Sequence, residues 1–167
     1  ESTVSFMYFL NLSDVSFESI SHNMVIPNLK SYLKGIAVSN AKINRTCKEG
    51  ADKFQVKMAS LNQEVCHLSG GNQQKVVLAR WMMLDPDIII LDEPTRGIDI
   101  GAKTQIYHLM RELAKQGKAI IMISSELPEV IGMSDNIVVM FEGKITGTLS
   151  GDGATQDEIM RYAENVG

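Results

Sequence analysis

The stretch Ile88-Ile89-Ile90-Leu91-Asp92-Glu93-Pro94 joins four large apolar residues to two consecutive carboxylates. A short, uninterrupted apolar run is typical of a strand covered on both faces of a parallel sheet. In open α/β sheets, ligands bind beyond the carboxyl ends of such strands. The sequence therefore predicts that Asp92 and Glu93 lie at a ligand site on a rigid support.

The two carboxylates suit two different tasks. Asp92 suits a Mg²⁺ site, since Mg²⁺ takes carboxylate oxygens and keeps much of its water. Glu93 suits orienting and deprotonating an attacking water. Solvated acids at the end of a strand are also common, and these residues taken alone leave that alternative open.

A second stretch, Leu68-Ser69-Gly70-Gly71-Asn72-Gln73-Gln74, lies about twenty residues upstream. Gly70 and Gly71 lack Cβ atoms, so a phosphate can approach the backbone closely. A helix that starts here directs its free N–H groups and positive dipole end at the same place. Ser69 can add a hydroxyl donor, or it can simply be the N-cap of an ordinary helix.

Outward from these stretches, helical and strand patterns alternate with short connections. The alternation predicts an α/β fold with a mainly parallel sheet flanked by helices. Composition changes near Leu68, so we divide the chain into 1–67, an N-terminal remnant with a helical subdomain, and 68–167. The predicted helices are 28–34, a second within 48–61, 72–84, 101–116 with a stop at Gly117, 125–131, and 156–164 behind a Thr155–Glu158 capping box. The predicted strands are 88–91, 119–123, 137–141 and 144–149, with a turn at Glu142-Gly143.

Bulk composition excludes several classes of protein. With 167 residues, 44% hydrophobic content and a net charge of −4, the chain can form a core and does not attract nucleic acid as a whole. Two cysteines are too few for a disulfide framework, which favours a reduced, intracellular setting. No apolar run approaches the roughly 20 residues of a membrane span, and Val4 to Leu12 lacks the flanks of a signal peptide. The adjacent pair Cys66-His67 does not have metal-site spacing.

The two stretches together resemble the signature motif and the Walker B motif of ABC-type ATPases, and Gly97-Ile98-Asp99 resembles the D-loop. Three segments are similar to the second ATPase half of the subunits that drive ribose, galactose and related monosaccharide importers. They are residues 95–103, 72–75 and 123–129. The resemblance covers about 60–165, and less closely 20–60, where the family has a helical subdomain. It implies a P-loop NTPase-like ABC ATPase core, truncated, with a small helical subdomain.

The resemblance also implies cofactors, partners and roles. ATP and Mg²⁺ would act in the intact protein, with Asp92 binding Mg²⁺ and Glu93 activating water. Site residues facing nucleotide or coupling two sites would be Ser69, Gly70, Gly71, Gln73, Asp99 and Ser125. The implied partners are a second ATPase domain, transmembrane permease subunits and, indirectly, a periplasmic or extracellular sugar-binding protein, with no nucleic acid. The implied location is the cytoplasmic face of the cell membrane.

Two departures from the family pattern change the expectation. Ser125 stands where most ABC ATPases place a histidine; it can donate a hydrogen bond but carries no charge, and helix N-capping is an equally good interpretation. No phosphate loop of the form G-x-x-x-x-G-K-[ST] occurs in the chain. The chain therefore resembles the C-terminal portion of the second ATPase domain, and we expect it to be inactive alone.

Two alternatives and one further expectation follow from these departures. The chain could be a non-catalytic module that presents its signature in trans. It could belong to a soluble ABC ATPase of DNA repair or translation, although it lacks their long coiled coils and basic linkers. A sheet without its first strands has an unpaired edge, so we also expect self-association unless Val4 to Leu12 covers that edge.

Overall fold

The computed structural model describes residues 7–10, 18–34 and 37–164. The chain divides into two compact units, of which the first ends at Ile121 and the second begins at Met122. The predicted division at Leu68 is of another kind, because it separates two segments by their sequence motifs. That division stays a prediction.

The secondary structure alternates as predicted after Leu68. The strands are β1 (Met7–Leu10), β2 (Leu33–Lys34), β3 (Ala37–Val38), β4 (Ile88–Asp92), β5 (Ala119–Ile123), β6 (Asn136–Phe141) and β7 (Lys144–Ser150). The α-helices are α1 (Ile20–Val25), α2 (Asn40–Lys53), α3 (Gly70–Met82), α4 (Ile100–Lys115), α5 (Leu127–Met133) and α6 (Gln156–Ala163). In the described part of the chain, none of these helices is both long and apolar enough to cross a membrane.

A three-stranded sheet in the order β1-β4-β5 carries the apolar run of the opening stretch. Strand β1 pairs with β4 in parallel, with Met7 opposite Ile88 and Leu10 opposite Leu91. Part of the apolar segment Val4 to Leu12 therefore lies beside β4, and its remaining residues lie outside the described ones. Ile89 and Leu91 are buried, whereas Ile88 and Ile90 on the other face are only partly buried, so the predicted cover is complete on one face alone.

Strand β5 differs from its prediction. Its sequence, Ala119–Ile123, is apolar throughout and predicts a strand buried on both faces. Ile121 and Ile123 are instead 49% and 45% exposed, and burial alternates along the strand. Among the described strands β5 lies at one end of the sheet, and the face that carries Ile120 and Met122 is only partly covered.

The segment before the signature forms a helical layer on α3. Helices α1 and α2 both pack against α3, and their buried side chains include Ile20, Met24 and Cys47. Helix α2 lies upstream of the predicted 48–61 because Ser39 caps it, accepting from Lys42 N at 3.4 Å. The predicted helix 28–34 is wrong in type and bounds: a 3-10 helix, Ile26–Tyr32, is kinked at Asn28 and followed by β2.

Helices α3 and α4 begin and end close to their predicted bounds. Helix α3 begins two residues before the predicted Asn72, and Asp85, at φ +49, follows its end. Helix α4 ends before Gly117, whose φ of +86 confirms the predicted stop.

The second unit contains a β-hairpin and two short helices. Strands β6 and β7 pair antiparallel through a turn at Glu142 and Gly143, whose φ values are +48 and +77. These two positive values fit a tight hairpin turn of the predicted kind. Its core contains Ile137, Val139 and Ile159. The Thr155–Glu158 capping box of α6 is confirmed, with Glu158 N donating to Thr155 Oγ1 at 3.3 Å.

Candidate functional site

The carboxylates at the end of β4 are held by an unusual backbone. Asp92 is the last residue of the strand, and Glu93 follows with φ +48. A left-handed conformation costs a non-glycine residue free energy, and such residues cluster at functional sites. Arg96 N donates to Glu93 O at 3.2 Å, so a turn directly after Asp92 fixes the course of the chain.

The loop after Glu93 leads into α4 through Asp99. Asp99 is the N-cap of α4, and its Oδ1 accepts from Ala102 N at 2.9 Å. Its backbone oxygen accepts from Lys103 N, also at 2.9 Å. The resemblance implies a coupling role for Asp99, and the structure gives its carboxylate a helix-capping contact that was not predicted.

The Ser69 hydroxyl does not cap α3, although Ser69 occupies the N-cap position. Ser69 Oγ instead accepts from the side-chain Nδ2 of Asn72 at 2.9 Å. The first backbone N–H groups of the helix therefore donate no hydrogen bond to the side chain of Ser69. Ser69 thus takes the N-cap position of the alternative interpretation without its side-chain hydrogen bond, and in the described part of the chain its hydroxyl is seen only as an acceptor.

Two amide side chains support the signature turn from behind. Gln73 Nε2 donates to Leu68 O at 2.9 Å and to Cys66 O at 3.5 Å. Asn72 Oδ1 accepts from Lys57 N at 2.8 Å. Gln73 was predicted to contact nucleotide. Its side-chain amide instead donates hydrogen bonds to backbone carbonyl groups that precede it in the chain. Asn72 was not predicted, although a hydrogen-bonding side chain at the third helical position is a recognisable N-terminal signal.

The glycine step lies against the beginning of α4. A methyl group built at Gly71 would lie 2.5 Å from Ala102 Cβ, and one at Gly70 would lie 3.1 Å from Ile98 Cγ2. The structure therefore brings together the predicted residues of the signature and the D-loop, because the second glycine lets two helix N-termini approach closely.

A buried lysine ties the same two helices together further along. Lys75 is 3% exposed, and its Nζ donates to Gln55 O at 3.1 Å and to Gln105 Oε1 at 2.5 Å. Burial, with a smaller contribution from Lys57, lowers the pKa of this ammonium group. Lys75 and Gln105 also line a cavity of about 250 Å³. The sequence places Lys75 within a motif and does not predict this contact.

Ser125 belongs to the second compact unit, between β5 and α5, and is exposed. The interpretation of Ser125 as the helix N-cap is wrong, because Glu126 occupies that position. The neighbouring Ser124 makes the contacts at this helix start. Its Oγ accepts from Glu126 N at 3.0 Å and donates to Glu129 Oε2 at 2.5 Å.

Comparison with known proteins gives close sequence relatives. The chain is 49% identical over 146 residues to the ribose import ATP-binding protein RbsA of Clostridium tetani. It is 47% identical over 146 residues to the galactose/methyl galactoside import ATP-binding protein MglA of the same organism. Each match covers 87% of this chain and 29% of the relative. The chain thus spans less than a third of the length of these relatives.

A solved structure shows the fold, and the sequence profile shows the family. A dimeric, post-hydrolysis ATP-binding cassette bound to ADP and phosphate superposes with a TM-score of 0.73 at 22% identity, covering 89% of this chain and 64% of that chain. This likeness shows the P-loop NTPase fold of an ABC ATPase cassette. Residues 11–96, more than half of the chain, match the profile of the ABC transporter family. The chain therefore belongs to the ABC transporter family.

Proposed function

We propose that this chain is the signature-, Walker B- and D-loop-bearing part of an ATP-binding subunit that energises sugar import. The proposal takes its substrate class from the ribose and galactose import relatives. In this proposal the chain works at the cytoplasmic face of a membrane, with a second ATPase domain and transmembrane permease subunits. A periplasmic or extracellular sugar-binding protein supplies the sugar indirectly.

The end of β4 has the donor set that Mg²⁺ and hydrolysis require. A carboxylate oxygen is a preferred Mg²⁺ ligand, and Asp92 presents one at the end of a strand in which Ile89 and Leu91 are buried. Bound Mg²⁺ neutralises charge on the phosphate groups of ATP. Glu93, next in the chain, orients the water and accepts its proton. The left-handed backbone at Glu93 supports this role, because non-glycine residues in this conformation cluster at functional sites.

The signature turn has the donors that a phosphate group requires. Ser69 lies at the start of α3, whose first N–H groups have no side-chain cap, and the helix dipole favours an anion there. In this proposal they contact the nucleotide of the partner ATPase domain. Gln73 acts indirectly, because its side-chain amide donates hydrogen bonds to the carbonyl groups of Leu68 and Cys66 and so positions the turn.

The close approach of Gly71 to Ala102 is the observation that carries the proposal. It couples the signature turn directly to the helix that Asp99 caps. A displacement at one nucleotide is therefore transmitted to the loop after Glu93 by contact between two helix ends. Asp99 contributes by fixing the start of α4.

Phosphate release, measured with malachite green, tests the catalytic assignment. The chain alone should release no phosphate above background, because residues 1 to 167 contain no phosphate loop. Reconstitution with a polypeptide that bears the phosphate loop should restore release, and Glu93→Gln should abolish it again. Glu142→Gln is the matched control: Glu142 has the same φ of +48 and lies in an exposed hairpin turn.

Three results would contradict this assignment. The first is phosphate release by the chain alone that depends on Glu93. The second is an equal loss of phosphate release in Glu93→Gln and Glu142→Gln. The third is unchanged phosphate release in the reconstituted Glu93→Gln variant. The last of these favours the alternative, a non-catalytic module that presents Ser69 and Gly71 in trans. Titration of labelled ATP checks the assembly in both cases, since nucleotide binding should require the partner; the effect of Glu93→Gln on release is what separates the two.

We also propose that the chain self-associates through β5. The half-exposed Ile121 and Ile123 belong to an edge strand, and apolar edge strands recruit other chains. Light scattering should detect oligomers that Ile121→Lys disperses. A wild-type chain that stays monomeric at all working concentrations would rule this out.

A further inference from the structure

A short turn directly before the signature holds three metal-binding side chains on a fixed backbone. The 3-10 helix Val65–His67 is anchored by Val65, which is fully buried and whose N–H donates to Glu18 O at 3.2 Å. His67 N donates to Glu64 O at 3.2 Å, which closes the turn. The side chains of Glu64, Cys66 and His67 are all exposed.

These three side chains converge on one point in solvent. Cys66 Sγ lies 3.5 Å from Glu64 Oε2, and His67 Nδ1 lies 3.7 Å from the same oxygen. One ligand atom from each residue lies within 4.8 Å of the other two. Zinc bonds of about 2.3 Å to sulfur and about 2.0 to 2.1 Å to nitrogen or oxygen place tetrahedral ligand atoms about 3.3 to 3.5 Å apart. Small side-chain rotations therefore complete this geometry without moving the backbone.

We propose that Glu64, Cys66 and His67 form a zinc site with one coordination position left for water or another ligand. A thiolate and an imidazole select a borderline metal such as Zn²⁺ over Mg²⁺ or Ca²⁺, which prefer oxygen ligands alone. Three protein ligands with an open fourth position are a recurring zinc arrangement. The site is thus chemically distinct from the proposed Mg²⁺ position at Asp92.

The site is connected to the signature through the backbone. Gln73 Nε2 donates both to Cys66 O and to Leu68 O, so a metal bound at Cys66 stiffens the same turn that presents Ser69. A metal here would restrain the start of the phosphate-facing segment. The zinc-site proposal does not depend on whether this chain serves a sugar importer.

Cobalt substitution in the full chain tests the site directly. Titration with Co²⁺ should produce a thiolate-to-cobalt charge-transfer absorption, and an equivalent of Zn²⁺ should remove it. Cys66→Ser should abolish the absorption, while His67→Ala and Glu64→Gln should each weaken Co²⁺ binding by at least about tenfold. His22→Ala and Glu142→Gln are matched exposed controls and should bind like the wild type.

Each alternative outcome is informative because the three ligand residues are exposed and their variants should fold. Absence of the charge-transfer band in the wild type overturns the proposal. So does a band that survives in Cys66→Ser, which would assign it to Cys47, or unchanged affinity in both His67→Ala and Glu64→Gln. In each of these cases, the contact between His67 and Glu64 is an ordinary surface contact.

Discussion

Gly71 packs against Ala102 so closely that a single methyl group at Gly71 would lie 2.5 Å from Ala102 Cβ. The contact joins the first turn of α3 to the first turn of α4. No Cβ atom tolerates that separation, so the two helix ends can meet here only while position 71 lacks a side chain. The second glycine of the signature is therefore required by packing, in addition to any contact with a phosphate group.

A pair of substitutions tests this packing requirement. Gly71→Ala should lower the free energy of unfolding by about 1 to 3 kcal/mol, because overpacking forces backbone shifts. Adding Ala102→Gly should restore most of the loss, minus about 1 kcal/mol for glycine in a helix. Denaturant unfolding of the single and double variants measures both effects.

Gly132→Ala is the control for the helix propensity of alanine. Gly132 lies in α5, and a methyl group added there would have no atom within 4 Å, so alanine should be neutral or stabilising by up to about 1 kcal/mol. Additive effects of Gly71→Ala and Ala102→Gly would contradict the packing argument, since residues in contact should show a coupling free energy.

The backbone at Glu93 gives a second prediction. A β-branched side chain is least compatible with positive φ, so Glu93→Val should destabilise the chain by about 1 to 3 kcal/mol, while Glu93→Gln should not. The unfolding free energy measures both variants. Glu142→Val provides the comparison, since Glu142 has the same φ of +48 in a different turn. Equal stability of Glu93→Val and Glu93→Gln would show that the left-handed backbone is not enforced.

Local signals in the sequence predicted the parts of the fold that depend on neighbouring residues. The apolar run ending at Asp92, the stop at Gly117 and the turn at Glu142-Gly143 are fixed by side-chain size, backbone freedom and strand pairing over a few residues. Each is present close to its predicted position. The start of α3 was likewise predictable to within two residues, because Ser69 and the two glycines are adjacent in the chain.

The remaining features depend on contacts that periodicity does not encode. Exposure of Ile121 depends on what covers β5, and nothing in its own apolar sequence reports that. Cys66 and His67 lack metal-site spacing in the sequence, yet a 3-10 turn brings both beside Glu64. The capping role of Asp99 and the buried contact of Lys75 with Gln105 likewise depend on where the helices lie.

The capping box of α6 gives a third prediction, specific to the second unit. Thr155→Ala removes the acceptor of the Glu158 N–H and should cost about 1 kcal/mol, as loss of an N-cap commonly does. Amide hydrogen exchange in α6 should accelerate about fivefold. Thr148→Ala, an exposed threonine on β7, should leave exchange in α6 unchanged. Equal acceleration in both variants would mean that the box does not stabilise this helix.

The two cysteines should differ in reactivity and in their effect on stability at alkaline pH. Cys47 is fully buried, whereas Cys66 is exposed, so a thiol reagent should modify Cys66 rapidly and Cys47 only on unfolding. Burial raises the pKa of the Cys47 thiol from 9.0 to about 11. The folded state therefore keeps its proton over a range of pH in which the unfolded state loses it.

The sign of the pH effect follows from that difference in bound protons. The protonated thiol stabilises the fold fully below the unfolded pKa, and this contribution declines as pH rises toward the folded value. By about pH 10 the loss should reach about 1.4 kcal/mol. The lowered pKa of Lys75 acts in the opposite direction, so the quantity to measure is the difference in unfolding free energy between the wild type and Cys47→Ala. Lys75 is common to both and cancels. A difference that stays constant between about pH 8 and about pH 10 would show that burial does not perturb Cys47.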